Sequence, residues 1–192
     1  MKKIVVTGPH CCGKSTIIKR IKEEFGNIPN IEFVNFSGKN SPVDYSNANK
    51  LKDNYISEID ITYYMITKLL EREIEIEYGK NEIAILDRCL IDQIVYPSVL
   101  LKQEYHKNIF DFLNLWIKIH PYEKIFYVPK NYELLSKYGT KDKSIKYLDD
   151  IEEKYLEIIN KLGIDYTILP KNQEEQIKKI KKYLKEEINK KI

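Results

Sequence analysis

Short apolar runs alternate along this chain with longer segments in which apolar residues recur at helical spacing. Runs such as Ile4–Val6 and Ile83–Leu86 are typical of strands that are buried on both faces of a parallel sheet. The pattern predicts strands over residues 4–6, 31–36, 83–87, 124–128 and 166–169. It predicts helices directly after the first strand and over residues 55–78, 90–101, 108–119, 131–137, 147–162 and 173–192.

Strands and helices that alternate in this way predict an α/β fold, in which a five-stranded parallel sheet is covered by helices on both faces. The same periodicity assigns side chains to the core. In the helix over 108–119 it places Phe112, Leu115 and Ile119 inward. In the helix over 55–78 it predicts an inward face that consists of Ile59, Tyr63, Ile66, Leu70 and Ile74. It predicts a solvent-exposed acidic face that consists of Glu71, Glu73, Glu75 and Glu77.

The composition fits one domain over residues 1–192 and restricts the class of partner. A length of 192 residues allows a sizeable core, and no apolar run approaches the roughly 20 residues that span a bilayer. Three cysteines give no disulfide framework, which favours a reducing, cytoplasmic setting. A net charge of +3, with arginine only at positions 20, 72 and 88, argues against nucleic acid as a partner. No membrane partner is expected, and the oligomeric state stays open.

The segment from Gly8 to Ser15 reads G-x-x-x-x-G-K-S and lies between the first predicted strand and the first helix. This is the P-loop pattern in its expected context. Backbone N–H groups and the helix dipole favour an anion there, and two glycines let phosphate approach the backbone. Lys14 can reach the β- and γ-phosphates of ATP, while the Ser15 hydroxyl can bind Mg²⁺. His10 lies at a variable position of the motif and is interpreted as loop filler.

Asp87 and Arg88 follow the apolar run of the third predicted strand. A carboxylate at this position is typical of a Walker B acid, which orients Mg²⁺. The neighbouring guanidinium can hold a phosphate or substrate oxygen. A salt bridge at the end of the strand is the alternative interpretation.

Two loops are candidates for contacts with ligand. Residues 37–54 follow the second predicted strand, at the end where open α/β sheets bind ligands, and contain Asp44 and Tyr45. Residues 130–147 are a possible lid, because the lysine-rich part over 137–146 could neutralise a phosphoryl group. A solvated loop is the alternative in both cases.

The segments VTGPHCCGKSTI and ILDRCLIDQIVY together resemble the P-loop nucleoside and nucleotide kinase superfamily. They most resemble the AAA-type ATPase and ribosylnicotinamide-kinase-like domain of NAD-biosynthesis regulators, and they are also similar to thymidylate and deoxynucleoside kinases. The resemblance implies a three-layer α/β/α sandwich of the P-loop NTPase type. It implies metal binding by Ser15 and Asp87, and catalytic roles for Lys14, Asp87 and Arg88. The phosphate-binding residues that it implies are Gly8, Pro9, His10, Cys11, Cys12, Gly13, Lys14, Ser15 and Thr16.

The resulting hypothesis is a kinase that transfers the γ-phosphoryl group of ATP-Mg²⁺ to a nucleoside, a nucleotide or a related metabolite. A hydroxyl acceptor would need a base, for which Asp87 and Asp44 are both candidates; a phosphate acceptor would need none. Asp92 matches a recurrent acid of the resembling group, without an assigned role. A regulatory ATPase or nucleotide switch and a polynucleotide-end kinase are the alternatives.

Overall fold

The computed structural model describes residues 1–36, 55–138 and 145–190. Its strands are β1 (Lys2–Thr7), β2 (Ile31–Asn35), β3 (Ile83–Asp87), β4 (Lys124–Tyr127) and β5 (Tyr166–Ile168). Its helices are α1 (Lys14–Phe25), α2 (Tyr55–Glu77), α3 (Asp92–Leu100), α4 (Gln103–Ile119), α5 (Tyr132–Tyr138), α6 (Ile145–Leu162) and α7 (Gln173–Asn189). Every predicted element is present, and the bounds differ by a few residues.

The five described strands form one sheet in the order β2-β3-β1-β4-β5, and all neighbouring strands are parallel. The register places Val6 of β1 opposite Asp87 of β3. The loop after β1 and the acid at the end of β3 therefore leave the same edge of the sheet side by side. The prediction of a five-stranded parallel sheet is confirmed.

Helices cover both faces of the sheet, because alternate strand residues contribute to two separate cores. Val5 and Leu86 join one core with residues of α2, α3, α4 and α6. Val6 and Ile85 join the other core with residues of α1 and α7. This arrangement confirms the three-layer α/β/α sandwich. None of the helices in the described ranges is long and apolar enough to cross a membrane.

The predicted inward face of α4 is wrong. Phe112, Leu115 and Ile119 are exposed, and the helix instead buries Ile109, Phe110, Leu113 and Ile117. Both sets recur at helical spacing, so apolar periodicity alone could not distinguish them. In α2 the prediction is partly wrong, since Ile66 is buried whereas Tyr63 and Ile74 are exposed.

Glu73 of α2 was assigned to a solvent-exposed face, but it is buried beneath the sheet with 2% of its surface exposed. Lys3 of β1, which is also buried, donates a hydrogen bond of 3.1 Å to its Oε2. Trp116 donates to the same oxygen at 3.2 Å, and Tyr122 donates to Oε1 at 2.6 Å. The Tyr122 hydroxyl in turn accepts a hydrogen bond from the Leu90 backbone N–H at 3.2 Å. The periodicity gave no sign of these partners, because they come from distant parts of the chain.

Candidate functional site

The loop between β1 and α1 has a backbone that its two glycines make possible. Gly8 and Gly13 have φ values of 147° and 94°, which side-chain-bearing residues rarely adopt. A Cβ atom on Gly8 would lie 2.2 Å from the Val128 carbonyl oxygen. Gly13 immediately precedes α1, whose first turn contains no acidic residue. The helix N-terminus therefore remains electropositive and suited to an anion.

Lys14 is 5% exposed, and its ammonium lies inside this loop. It donates hydrogen bonds to the carbonyl oxygens of Gly8, at 2.9 Å, and of Pro9, and it lies 3.3 Å from the Cys12 Sγ. None of these partners carries a formal charge when the thiol is protonated. The ammonium is thus buried in the described structure without a carboxylate partner.

Asp87 lies beside Ser15, whose hydroxyl donates a hydrogen bond of 3.2 Å to its Oδ2. The other carboxylate oxygen, Oδ1, is buried and has no hydrogen-bond partner among the described residues. Burial raises the pKa of Asp87 above its ordinary value, although the charges of Lys14 and Arg88 oppose this shift. The carboxylate is therefore destabilised unless a cation or a donor joins it.

These oxygens fit the requirements of Mg²⁺. A hydroxyl and a carboxylate are hard oxygen ligands, and Mg²⁺ usually takes one or two protein ligands beside waters and phosphates. In the described ranges, no group of three or more histidine, cysteine, aspartate or glutamate side chains could hold a metal ion. The fit is therefore to a metal that is shared with a bound phosphate, and not to a cage made by the protein alone.

Arg88 and Asp92 form a second pair directly after β3. Arg88 Nη1 lies 3.2 Å from Asp92 Oδ1, at the i,i+4 spacing. Asp92 is fully buried, and it also accepts hydrogen bonds from Thr7 Oγ1 at 2.9 Å, Tyr155 Oη at 2.6 Å and Cys89 N at 2.9 Å. These partners give Asp92 a role that the sequence did not assign: it fixes the guanidinium at the end of β3.

Aromatic side chains lie beside this pair. The ring of His10, in the phosphate loop, lies 5.7 Å from the ring of Tyr147 and 6.3 Å from that of Tyr96. Tyr96 also lies edge-on to Tyr155 at 6.4 Å. Burial raises the pKa of Tyr96 to about 12, so its hydroxyl is protonated at neutral pH. The interpretation of His10 as loop filler misses that it packs among these rings.

A cavity of about 620 Å³ lies on the other side of the loop, next to the segments that follow β4 and β5. Its lining includes Cys12, Lys130, Tyr132, Leu134 and Gln173. Cys12 is buried whereas Cys11 is half-buried, so Cys11 is the more accessible of the two loop thiols. The volume is typical of small-molecule sites.

The structure brings Lys14, Ser15, Asp87 and Arg88 together at one edge of the sheet, and the roles assigned to them stay predictions. Asp44, Tyr45 and residues 139–144 of the predicted lid lie outside the described residues. Sequence reasoning missed Thr7 and Tyr155, which contact Asp92. It also left the Arg88–Asp92 pair unassigned, although the i,i+4 spacing was a usable signal.

Comparisons with known proteins agree with this geometry. A family model described as AAA domain matches residues 3–176. No match was found among curated proteins.

Solved structures with similar folds include three that were determined with bound ligands. The deoxyadenosine kinase from M. mycoides, with products dCMP and a flexible dCDP bound, has a TM-score of 0.70 and 18% identity, with 96% of this chain and 99% of that chain covered. The YorR protein from Bacillus subtilis, in complex with phosphorylated GDP, has a TM-score of 0.56 and 19% identity, with 98% of each chain covered. The NadR protein in complex with NR has a TM-score of 0.62 and 17% identity, and the match covers 88% of this chain but 43% of that one. At these identities the likeness shows a shared fold.

Proposed function

The chain belongs to the AAA domain family, and from this premise we propose that it is an ATP-dependent kinase that phosphorylates a nucleoside, a nucleotide or a related small metabolite. The observation that carries the proposal is the convergence of Lys14, Ser15 and Asp87 at one edge of the sheet. Asp87 Oδ1 is buried without a partner beside Ser15, and the Lys14 ammonium is buried without a carboxylate. Such groups match a phosphate chain and its Mg²⁺, since each would gain the charged partner that it lacks.

In the proposed mechanism, the loop from Gly8 to Thr16 binds the phosphates of ATP through its backbone N–H groups. Lys14 exchanges its loop carbonyl partners for phosphate oxygens. Ser15 and Asp87 would hold Mg²⁺, which neutralises charge on the phosphates when it is bound. Arg88 holds an oxygen of the phosphoryl group or of the acceptor. In-line transfer then depends on positioning and electrostatics, without a covalent intermediate on the protein.

ATP and the acceptor would bind on opposite sides of the phosphate loop. We propose that the cavity beside Cys12 and Gln173 receives the base and sugar of ATP, because its volume suits a small molecule and it adjoins the phosphate loop. The acceptor would then approach from the side of β2 and β3, where Arg88 and Tyr96 lie. The deoxyadenosine kinase with dCMP and dCDP, and the YorR protein with phosphorylated GDP, support nucleotides as the ligand class.

The remaining expectations stand as proposals. Residues 1–192 would form a single domain that works in the cytoplasm, with residues 130–147 as a lid over the phosphates. Lys130 already contacts Asp149 of α6 at 2.8 Å and Glu152 at 3.1 Å, so the start of this segment is tied to α6. No nucleic acid and no membrane partner is proposed.

The test is a transfer assay with labelled ATP-Mg²⁺ and a panel of deoxyadenosine, deoxycytidine, nicotinamide riboside and their 5′-monophosphates. The wild type should phosphorylate at least one compound. Lys14→Ala should remove most ATP affinity or turnover while the protein still melts cooperatively. Lys19→Ala, at an exposed position of the same helix, is the matched control and should behave as the wild type.

The outcomes separate the competing functions. Hydrolysis of ATP without transfer to any compound would favour a regulatory ATPase. Unchanged ATP binding by Lys14→Ala in calorimetry would contradict the assignment of the phosphate loop.

A further inference from the structure

The first turn of α2 contains an acid that the proposed mechanism does not use. Glu58 is 5% exposed, and its Oε1 is buried without a hydrogen-bond partner in the described part of the chain. Burial raises the pKa of Glu58 above its ordinary value. The helix dipole favours an acid in the first turn, but it would favour an exposed acid as well as a buried one. The burial itself therefore needs another reason.

The topology places Glu58 at the edge of the sheet that carries the phosphate loop. α2 begins at the carboxyl edge of the sheet on the side of β2, which is the outer neighbour of β3. The ATP cavity proposed above lies on the opposite side, next to β4 and β5. Glu58 thus lies at the same edge of the sheet as Asp87, which ends β3, and Arg88, which follows it.

The neighbours of Glu58 connect it to the aromatic cluster at the site. Burial is the main cause that raises the pKa of Tyr147, and the charges of Tyr96 and Glu58 add to it, so Glu58 is within electrostatic reach of this phenol. The ring of Tyr147 lies 5.7 Å from that of His10 in the phosphate loop, and His10 packs near Tyr96. Two tyrosines and a loop histidine therefore lie together at this edge of the sheet, and the charge of Glu58 acts on one of these tyrosines.

A buried carboxylate without a partner is costly, because it has lost its hydrogen bonds to water and gained none from the protein. Leucine at position 58 would avoid this cost, as the apolar residues of α2 do elsewhere. Buried polar groups that are left unsatisfied in this way are typical of sites where a ligand supplies the missing partner.

Resting on the proposed function, we propose that Glu58 is the residue that recognises the acceptor, and that the acceptor is a nucleoside and not a nucleoside monophosphate. Oε1 accepts a hydrogen bond from a hydroxyl or amino group of the acceptor, whose ring packs against Tyr147 and His10. A carboxylate in this buried place repels the dianion of a second phosphate. Glu58 thereby decides between the hydroxyl and the phosphate acceptors that the sequence left open.

The first test measures transfer with the nucleosides and monophosphates of the same panel, for the wild type, Glu58→Leu and Glu58→Gln. Glu58→Leu should raise the KM for the preferred nucleoside tenfold or more, since it removes a hydrogen bond to a charged group. The KM for ATP should stay unchanged. Glu58→Gln, which keeps an acceptor oxygen but loses the charge, should show a smaller rise and a weaker preference for nucleoside over monophosphate. Glu75→Gln, at an exposed position of the same helix, is the control.

A second measurement separates recognition from a structural role. In the absence of ligand, Glu58→Leu should melt at the same temperature as the wild type or above it, because it removes an unsatisfied buried group. A marked fall in the melting temperature of both variants, with equal losses for every substrate, would overturn the proposal. So would an unchanged KM for the nucleoside, or a wild type that prefers monophosphates.

Thermal shifts with each nucleoside alone distinguish failure of this inference from failure of the proposed function. Stabilisation of the wild type but not of Glu58→Leu, without transfer in either, would support Glu58 and contradict the kinase. Transfer that is insensitive to Glu58 would support the kinase and contradict Glu58. A wild type that neither binds nor phosphorylates any nucleoside would overturn both.

Discussion

Each end of the sheet buries a lysine and an acid, but the two side chains contact each other at only one of the ends. At the lower end, where the strands begin, Lys3 donates directly to Glu73, and Trp116 and Tyr122 also donate to this carboxylate. At the upper end, where the strands finish, Lys14 contacts loop carbonyls and Asp87 contacts Ser15. No ion pair between Lys14 and Asp87 is seen in the described ranges. The lower pair neutralises itself, whereas the upper pair keeps both charges available.

Under the proposed function, this difference separates polar groups that stabilise the fold from polar groups that bind a ligand. A satisfied buried pair is costly to break but offers nothing to a ligand. An unsatisfied pair lowers the stability of the ligand-free protein and recovers that free energy when charged partners bind. The same substitution should therefore reduce stability at one end and activity at the other.

The largest expected effect is on turnover, from Asp87→Asn. The amide cannot replace the carboxylate toward Mg²⁺, and we expect phosphoryl transfer to fall about 10³-fold, which corresponds to about 4 kcal/mol of barrier. The free energy of unfolding without ligand should not fall, because the buried charge with its orphaned oxygen is removed. Single-turnover transfer and urea unfolding on the same protein measure both quantities. Wild-type turnover at unchanged Mg²⁺ dependence would make Asp87 structural.

Glu73→Leu should have the inverse profile. The Lys3 ammonium would remain buried, with Glu77 at 3.5 Å as its nearest other carboxylate in the described residues, and we expect a loss of about 3 kcal/mol in the free energy of unfolding. Transfer by the folded fraction should be unaffected. The double variant Lys3→Met/Glu73→Leu should recover much of the loss, because it leaves no charge without its partner. If Glu73→Leu is as stable as the wild type, the lower network does not contribute to stability.

Arg88→Lys tests the junction between the two types of group, since Arg88 contacts the satisfied Asp92 and also faces the site. Lysine keeps the charge near Asp92, which retains Thr7, Tyr155 and Cys89 as donors, so the melting temperature should change little. Lysine cannot reproduce two parallel N–H donors, and transfer should fall about 10²-fold, or about 2.7 kcal/mol of barrier. A variant that melts early but turns over normally would place Arg88 with the structural group.

The smallest effect concerns pH and the buried acid Glu58. Its pKa is raised on folding, so the folded state binds its proton more tightly than the unfolded state. Its contribution to stability is present below the unfolded pKa of about 4.3 and is lost as pH rises through the folded value. The ligand-free wild type should therefore lose stability relative to Glu58→Gln as the pH rises above about 4.3. If the free energy of unfolding changes with pH in the same way for both proteins, the pKa of Glu58 does not differ between the folded and the unfolded state.

The order of strands and helices and the position of the phosphate loop could be predicted from the sequence, because both depend on local signals. Apolar runs, glycine positions and the acid after β3 are all contained in short windows of the chain. The inward face of α4 could not be predicted, since Phe112 and Ile109 both belong to apolar sets with helical spacing. The burial of Glu73 and Glu58 could not be predicted either, because their surroundings come from other helices and from strand β1. The chemistry of the site was local, and its supporting contacts were not.

The backbone at Arg88 has a consequence for how this chain can change over generations. Its φ of 74° lies in the left-handed region, which costs a residue with a side chain about 1–2 kcal/mol and costs glycine almost nothing. A library of variants sorted for folding alone should therefore drift at this position toward glycine or asparagine. A library sorted for turnover should retain arginine. At residue 88, selection for stability and selection for activity should therefore favour different amino acids.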